Sequence, residues 1–181
     1  DSESCCSISN VAHAFNVPCM EVQDVNSEKF HSHLIESGAE IVVSVTCPQV
    51  FRDSLINLLP KGCLNMHGAI LPNYRGLAPS FWMMKNGDKE AGVTVFFVNE
   101  DIDAGDVVKC ERFPIFEGES LEAFIIRSKQ ISCDVLLHAL DLIEDGDYQT
   151  TTLDTAQGSY YGFPSKQDYV EVRRNRKRLW G

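Results

Sequence analysis

Residues 40–67 read EIVVSVTCPQVFRDSLINLLPKGCLNMH, and this stretch decides the fold. Glu40–Thr46 is a continuous β-branched run of the kind found in a parallel strand covered on both faces. QVFRDSLINLLP, from Gln49, has helical spacing and is closed by Pro60. CLNM, from Cys63, returns to short-strand character. Strands alternating with helices predict an α/β domain with a parallel sheet.

Working outward, the alternation continues in both directions. On the amino-terminal side, ISNVAHAFN predicts a short helix, VPCMEV a strand and SEKFHSHLIESG an amphipathic helix stopped by Gly38. On the other side, APSFWMMKNG predicts a helix ending at Gly87, and GVTVFFV a strand. VVKCERFPIF predicts a strand whose Pro114 suits an edge or a bulge. The segment from Ser120 to Gly146 predicts a long helix, opened by a serine N-cap and closed by glycine. QGSYYGFPSKQD reads as a surface-hugging loop. The chain opens on a weak helix with no strand before it, and it contains neither G-x-G-x-x-G nor G-x-x-x-x-G-K-[ST]. The fold expected is therefore α/β: a Rossmann-like, mostly parallel sheet with flanking helices that lacks its first βαβ unit.

Composition narrows the function. At 181 residues and 44% apolar, the chain is long enough for one sizeable core. A formal net charge of −10 argues against an extended nucleic-acid-binding surface. The exception is RRNRKR, from Arg173 to Arg178, which reads as a solvated helix end. No apolar stretch is long enough to cross a membrane, and DSESCCSISN has no signal-peptide character, so a cytoplasmic location is expected. Seven cysteines without a C-x-x-C indicate reduced, mostly buried thiols rather than a disulfide scaffold or a zinc site. His31 and His33 lie two apart on a predicted helix, hence on different faces. In NEDIDAGD the glycine is out of register for an EF-hand. No metal site is expected.

The chemistry concentrates after the second strand. Residues two apart on a strand share a face, so Asn65 and His67 project together from the carboxyl end of CLNM. That end borders the ligand crevice in open α/β sheets. GVTVFFV runs into NEDIDAGD, which is expected to bring Asp101, Asp103 and Asp106 to the same end. An amide donor, an imidazole and a carboxylate then converge, a set suited to acyl transfer to an amine. Read residue by residue, Asn65 also fits a turn, His67 a satisfied interior histidine and NEDIDAGD a polar turn.

Residues 65–108, NMHGAILPNYRGLAPSFWMMKNGDKEAGVTVFFVNEDIDAGDVV, resemble the signature region of the folate-dependent formyltransferases. That pattern runs Asn-x-His-x-(Ser/Ala)-x-Leu-Pro, then a Gly after a short loop, a Gly-Val-Thr strand and Asp-(Ala/Thr/Gly)-Gly. Asn65, His67, Ala69, Leu71, Pro72, Gly76 and Asp103 fall on the matching positions. Upstream, CPQVFRDSLINLLPKGCLN is similar to the family segment that precedes the Asn-x-His strand. The resemblance runs from about VAHAFNVPC to the long helix, and divides the chain into a catalytic domain (1–150) and a tail segment packing on or extending from it (151–181).

The resemblance implies N10-formyltetrahydrofolate as co-substrate of a one-carbon transfer, and no metal. It implies that Asn65 and His67 stabilise a tetrahedral oxyanion while Asp103 positions His67 and assists proton transfer. Gln49, Val50 and Phe51, with Asn99 and Asp101, would bind the folate. Tyr74, Arg75 and Gly76, held by Pro72, would wall the crevice towards the substrate. NYRGLAPSFW resembles the version found in methionyl-tRNA and sugar-nucleotide N-formyltransferases. The chain leaves no room after KRLWG for a second, tRNA-gripping domain, so a small amine carried on a nucleotide-linked sugar is the acceptor expected, with tRNA the alternative. Gly68 departs from the Pro or Ala often found after the histidine. With the absent first strand, that departure supports a further alternative: a truncated, inactive folate-binding or interaction module.

Overall fold

The computed structural model describes residues 7–174 and 179–180. Cys5, Cys6 and, in the basic run, Arg176, Lys177 and Arg178 lie outside the described residues.

Two short helices, α1 (Ile8–Ala14) and α2 (Glu28–Glu36), precede the sheet. Each is capped by a serine whose hydroxyl accepts a backbone N–H three residues on: Ser7 from Asn10, and Ser27 from Phe30. The main sheet has the order β1 (Val42–Ser44), β2 (Cys63–His67), β4 (Glu90–Phe97), β5 (Val107–Pro114). Between them lie α3 (Asp53–Ile56), β3 (Arg75–Gly76) and α4 (Pro79–Asn86), and α5 (Leu121–Asp145) follows β5.

The expected α/β architecture with flanking helices is present, and β1 and β2 pair in parallel. β4 runs antiparallel to both β2 and β5. The sheet among the described residues is therefore mixed; β4 and β5 are joined by a loop without a crossover helix, which suits an antiparallel pair. VPCMEV forms no strand: among the described residues no neighbour pairs with it, and Val17 and Met20 are exposed. The helix expected over QVFRDSLINLLP is confined to α3.

From Ala91 to Phe96 β4 is buried on both faces, which is why its sequence there, Thr94 apart, does not alternate between apolar and polar. Val93 and Val95 join Leu64, Met83, Met84 and Phe113 in the core. α5 closes it with Phe124, Ser128, Ser132, Val135, Ala139 and Ile143, spaced three or four apart and so on one face. Ser120 caps α5 by accepting the Ala123 N–H, and Gly146 ends it in the left-handed conformation, both as expected. Pro114 is the last residue of edge strand β5, where a missing N–H does no harm.

The expectation for the cysteines needs correction. Cys63 is buried, and burial pushes its thiol up to about 11. Cys19, Cys110 and Cys133 are exposed and Cys47 is partly so. QGSYYGFPSKQD is also more ordered than a loop. It contains β6 (Tyr160–Tyr161), which pairs in parallel with β3, and it leads into α6 (Lys166–Arg174). Val172 of α6 is buried with Phe81 of α4 and Leu179.

Candidate active site

β2 ends in Asn65-Met66-His67, and its register beside β1 and β4 sends Asn65 and His67 from the same face. His67 is buried, Asn65 half-buried. The loop that follows includes the cis Leu71–Pro72 peptide and places Tyr74 with φ 59° and Gly76 with φ 92°. This loop folds back over the end of its own strand. The Tyr74 carbonyl oxygen lies 2.7 Å from His67 Nε2. A carbonyl only accepts, so Nε2 carries a proton and donates it.

Asp103 reaches the pair by a different route from the one expected. With β4 antiparallel to β2, the β4–β5 loop starts beside Cys63, where the Val98 N–H bonds the Cys63 carbonyl at 2.7 Å. The loop then doubles back across the sheet. Gly105 permits this, since a Cβ there would sit 1.7 Å from the Phe97 carbonyl oxygen. Asp103 lands with one carboxylate oxygen 3.5 Å from Asn65 Nδ2. The other accepts the Gly76 N–H at 2.7 Å and lies 3.6 Å from His67 Nδ1. At 3.6 Å the His67–Asp103 contact is an ion-pair distance rather than a hydrogen bond. Both side chains are about nine-tenths buried, at 8% and 10% exposure, so the pair sits where a charge interaction is little screened.

Of the three aspartates, only Asp103 enters this cluster. Asp101 is exposed, with its N–H on the Asn99 side-chain oxygen, and Asp106 accepts from the Thr152 hydroxyl at 2.8 Å. Asn99 is occupied within its own loop, donating to the Ala104 carbonyl at 3.2 Å. Gln49, Val50 and Phe51 follow β1 at the edge where Asn65 and His67 emerge. The Gln49 amide ties down the preceding segment, accepting the Val25 N–H and donating to the Gln23 carbonyl. Val50 is exposed and its carbonyl accepts from Asn26 Nδ2.

Tyr74 and Arg75 frame the other side. The Tyr74 hydroxyl donates to Asp88 at 2.6 Å; burial, and then that hydrogen bond, push it up to about 12. Its ring stacks on Tyr161, which stacks on Trp82. Arg75 reaches towards the Ile102 carbonyl at 3.5 Å, and its Nε is buried with no hydrogen-bond partner. The groups that residue-by-residue reading missed are the Tyr74 carbonyl and the Gly76 N–H. Backbone groups leave no residue signature, except that a glycine is needed at φ 92° where a Cβ would lie 2.3 Å from the Tyr161 carbonyl oxygen. Among the described residues no group of three or more side chains could hold a metal ion.

The amide, the imidazole and the carboxylate closed around this strand end are the kinds of group that can polarise an acyl oxygen beside a proton acceptor. The sequence pattern of the formyl transferase family matches residues 6–140, and the chain belongs to that family. It is 28% identical to methionyl-tRNA formyltransferase of Kosmotoga olearia over 165 residues, covering 91% of this chain and 53% of that protein. It is 30% identical to the Anaeromyxobacter dehalogenans methionyl-tRNA formyltransferase over 157 residues, 87% of this chain and 50% of the other. The chain thus spans about half the length of these relatives. Among solved structures, a sugar N-formyltransferase from Shewanella sp. superposes with a TM-score of 0.70 at 27% identity, over 91% of this chain and 69% of that one. A formyltransferase from Anoxybacillus kamchatkensis, solved with UDP-4,6-dideoxy-4-formamido-L-AltNAc and tetrahydrofolate, shares the fold at TM-score 0.70 and 18% identity, over 90% and 84% of the two chains.

Proposed function

We propose that the chain transfers a formyl group from N10-formyltetrahydrofolate to a primary amine on a nucleotide-linked sugar. The observation that carries this reading is the closure of Asn65, His67 and Asp103 into one cluster from two distant segments. The amine attacks the formyl carbon, and the C–N bond forms as the carbonyl oxygen becomes an oxyanion. Asn65 Nδ2 donates to that oxygen. Nε2 of His67 is already committed to the Tyr74 carbonyl, so donation comes from Nδ1 of a doubly protonated ring with Asp103 as its counter-charge. Collapse breaks the bond to N10. The proton lost by the amine passes through Asp103, and the departing N10 gains one. Gln49, Val50 and Phe51, with Asn99 and Asp101, would receive the folate, while Tyr74, Arg75 and Gly76 face the acceptor.

A second reading, transfer to methionyl-tRNA, is favoured by the relatives described above, which are methionyl-tRNA formyltransferases. The net charge of −10 weighs against a large polyanion. Supplying the chain with N10-formyltetrahydrofolate and, separately, amino-sugar nucleotides and methionyl-tRNA distinguishes the readings. Mass spectrometry is expected to find a formamido sugar nucleotide. Formylation of the tRNA alone, steeply weakened by salt, would replace the small-amine reading. Folate binding without transfer to any amine would make the chain a binding module.

A further inference from the structure

The segment after α5 does more than cover the surface. At its start, Thr151 exchanges two backbone hydrogen bonds with Val107, both 2.9 Å, and the Thr152 hydroxyl donates to Asp106 at 2.8 Å. These contacts fix the end of the turn that carries Asp103. Eight residues on from Thr151, the same segment grips the other half of the site. The Ser159 N–H donates to the Pro72 carbonyl at 3.3 Å, and the Ser159 hydroxyl accepts the Tyr74 N–H at 2.9 Å. The Ser159 carbonyl accepts from Arg75 and the Tyr161 carbonyl from Leu77, at 2.9 and 2.8 Å. The approach is close: a Cβ on Gly158 would lie 2.1 Å from the Pro72 carbonyl oxygen. The gripped loop supplies the two backbone groups that hold the catalytic pair, the Tyr74 carbonyl on His67 and the Gly76 N–H on Asp103. Beyond it, Trp82 Nε1 donates to the Gly162 carbonyl at 3.0 Å, and Lys85 pairs with Asp168 and Glu171 to anchor α6 on α4.

We infer that residues 151–161 form a positioning strap that ties the Asp103 turn to the 72–77 loop and so sets the His67–Asp103 geometry, with Ser159 as its pivotal positioning residue. For its catalytic consequence this rests on the function proposed above. Ser159 touches neither His67 nor Asp103; it acts through the backbone of Tyr74 and Arg75. Removing its hydroxyl frees the Tyr74 N–H, and the carbonyl of the same residue then holds the imidazole less firmly.

The test uses the full chain with Ser159→Ala, Ser159→Thr and, as a stronger displacement, Gly158→Ala. Two readouts are taken well below the melting temperature: solvent exchange of the His67 Nε2 proton by NMR, and formyl-transfer kinetics. For Ser159→Ala, exchange is expected to quicken about tenfold or more. Turnover is expected to fall about tenfold, with the KM for N10-formyltetrahydrofolate within about twofold of wild type. Ser159→Thr, which keeps a hydroxyl, is expected to recover both, and Gly158→Ala to exceed Ser159→Ala in both. Wild-type ring-proton exchange in Ser159→Ala and Gly158→Ala would overturn the inference, even with a lowered melting temperature, because an ordinary structural contact would give only that. His67→Ala keeps the two claims apart: if it retained full turnover the proposed function would fail, while ring-proton exchange would still decide the strap.

Discussion

Asp103 holds its backbone at φ 50°, in the left-handed region that Asp and Asn tolerate better than other non-glycine residues. Asp103→Asn therefore removes the charge and keeps the conformation. With no carboxylate to balance the ring or take the amine's proton, turnover is expected to fall on the order of 10²-fold or more, with folate affinity and melting temperature little changed. Asn65→Ala and His67→Ala remove the two proposed oxyanion donors, and each is expected to cost about 10²-fold in kcat. Steady-state kinetics check all three; a rise in KM at unchanged kcat would assign these residues to binding instead. The Asn65–His67 pairing was legible because strand periodicity is two whatever the surroundings. Which of Asp101, Asp103 and Asp106 completes it was not legible from residue types, since that depends on how the loop doubles back over Phe97.

α6 meets α4 through ion pairs as well as packing. Lys85, lying over the Trp82 ring, pairs with both Asp168 and Glu171. The hydrogen bond from Lys85, and then those from Ser165, hold the Asp168 carboxyl down at about 2. A carboxylate depressed in the folded state stabilises it above the unfolded value of about 4, and that contribution is lost as pH falls towards 2. Amide-exchange protection in α6, read at Val172, is expected to drop over that acid window. In Asp168→Asn it is expected to be weaker already at neutral pH. Undiminished protection in that variant would mean that packing of Val172 alone holds the helix. Serine caps, the glycine stop and the one-sided apolar spacing made α5 readable in advance. The two-residue strands β3 and β6 carry no periodicity at all.

The strand edge, the folded-back loop and residues 151–161 meet only in the folded chain, so a ligand recognised there binds the native state alone. At a hundredfold excess over its Kd, a non-hydrolysable folate analogue should stabilise the chain by about 2.7 kcal/mol. For a chain of this size that raises the melting temperature by about 5 °C or more, measurable by differential scanning fluorimetry. No shift at saturation would remove the folate reading. The sequence by itself determined the α/β class, the presence of β2 and β4, the extent of α5, and the placing of Asn65 and His67 on one face. These follow from local periodicity and capping, which each segment carries within itself. Only the tertiary structure decided the antiparallel sense of β4, the route by which Asp103 reaches His67 and the partnership of Ser159 with Tyr74 across 85 residues. Each of these is a contact between segments far apart in the chain, fixed by how loops return over a shared sheet, and no short stretch of sequence encodes it.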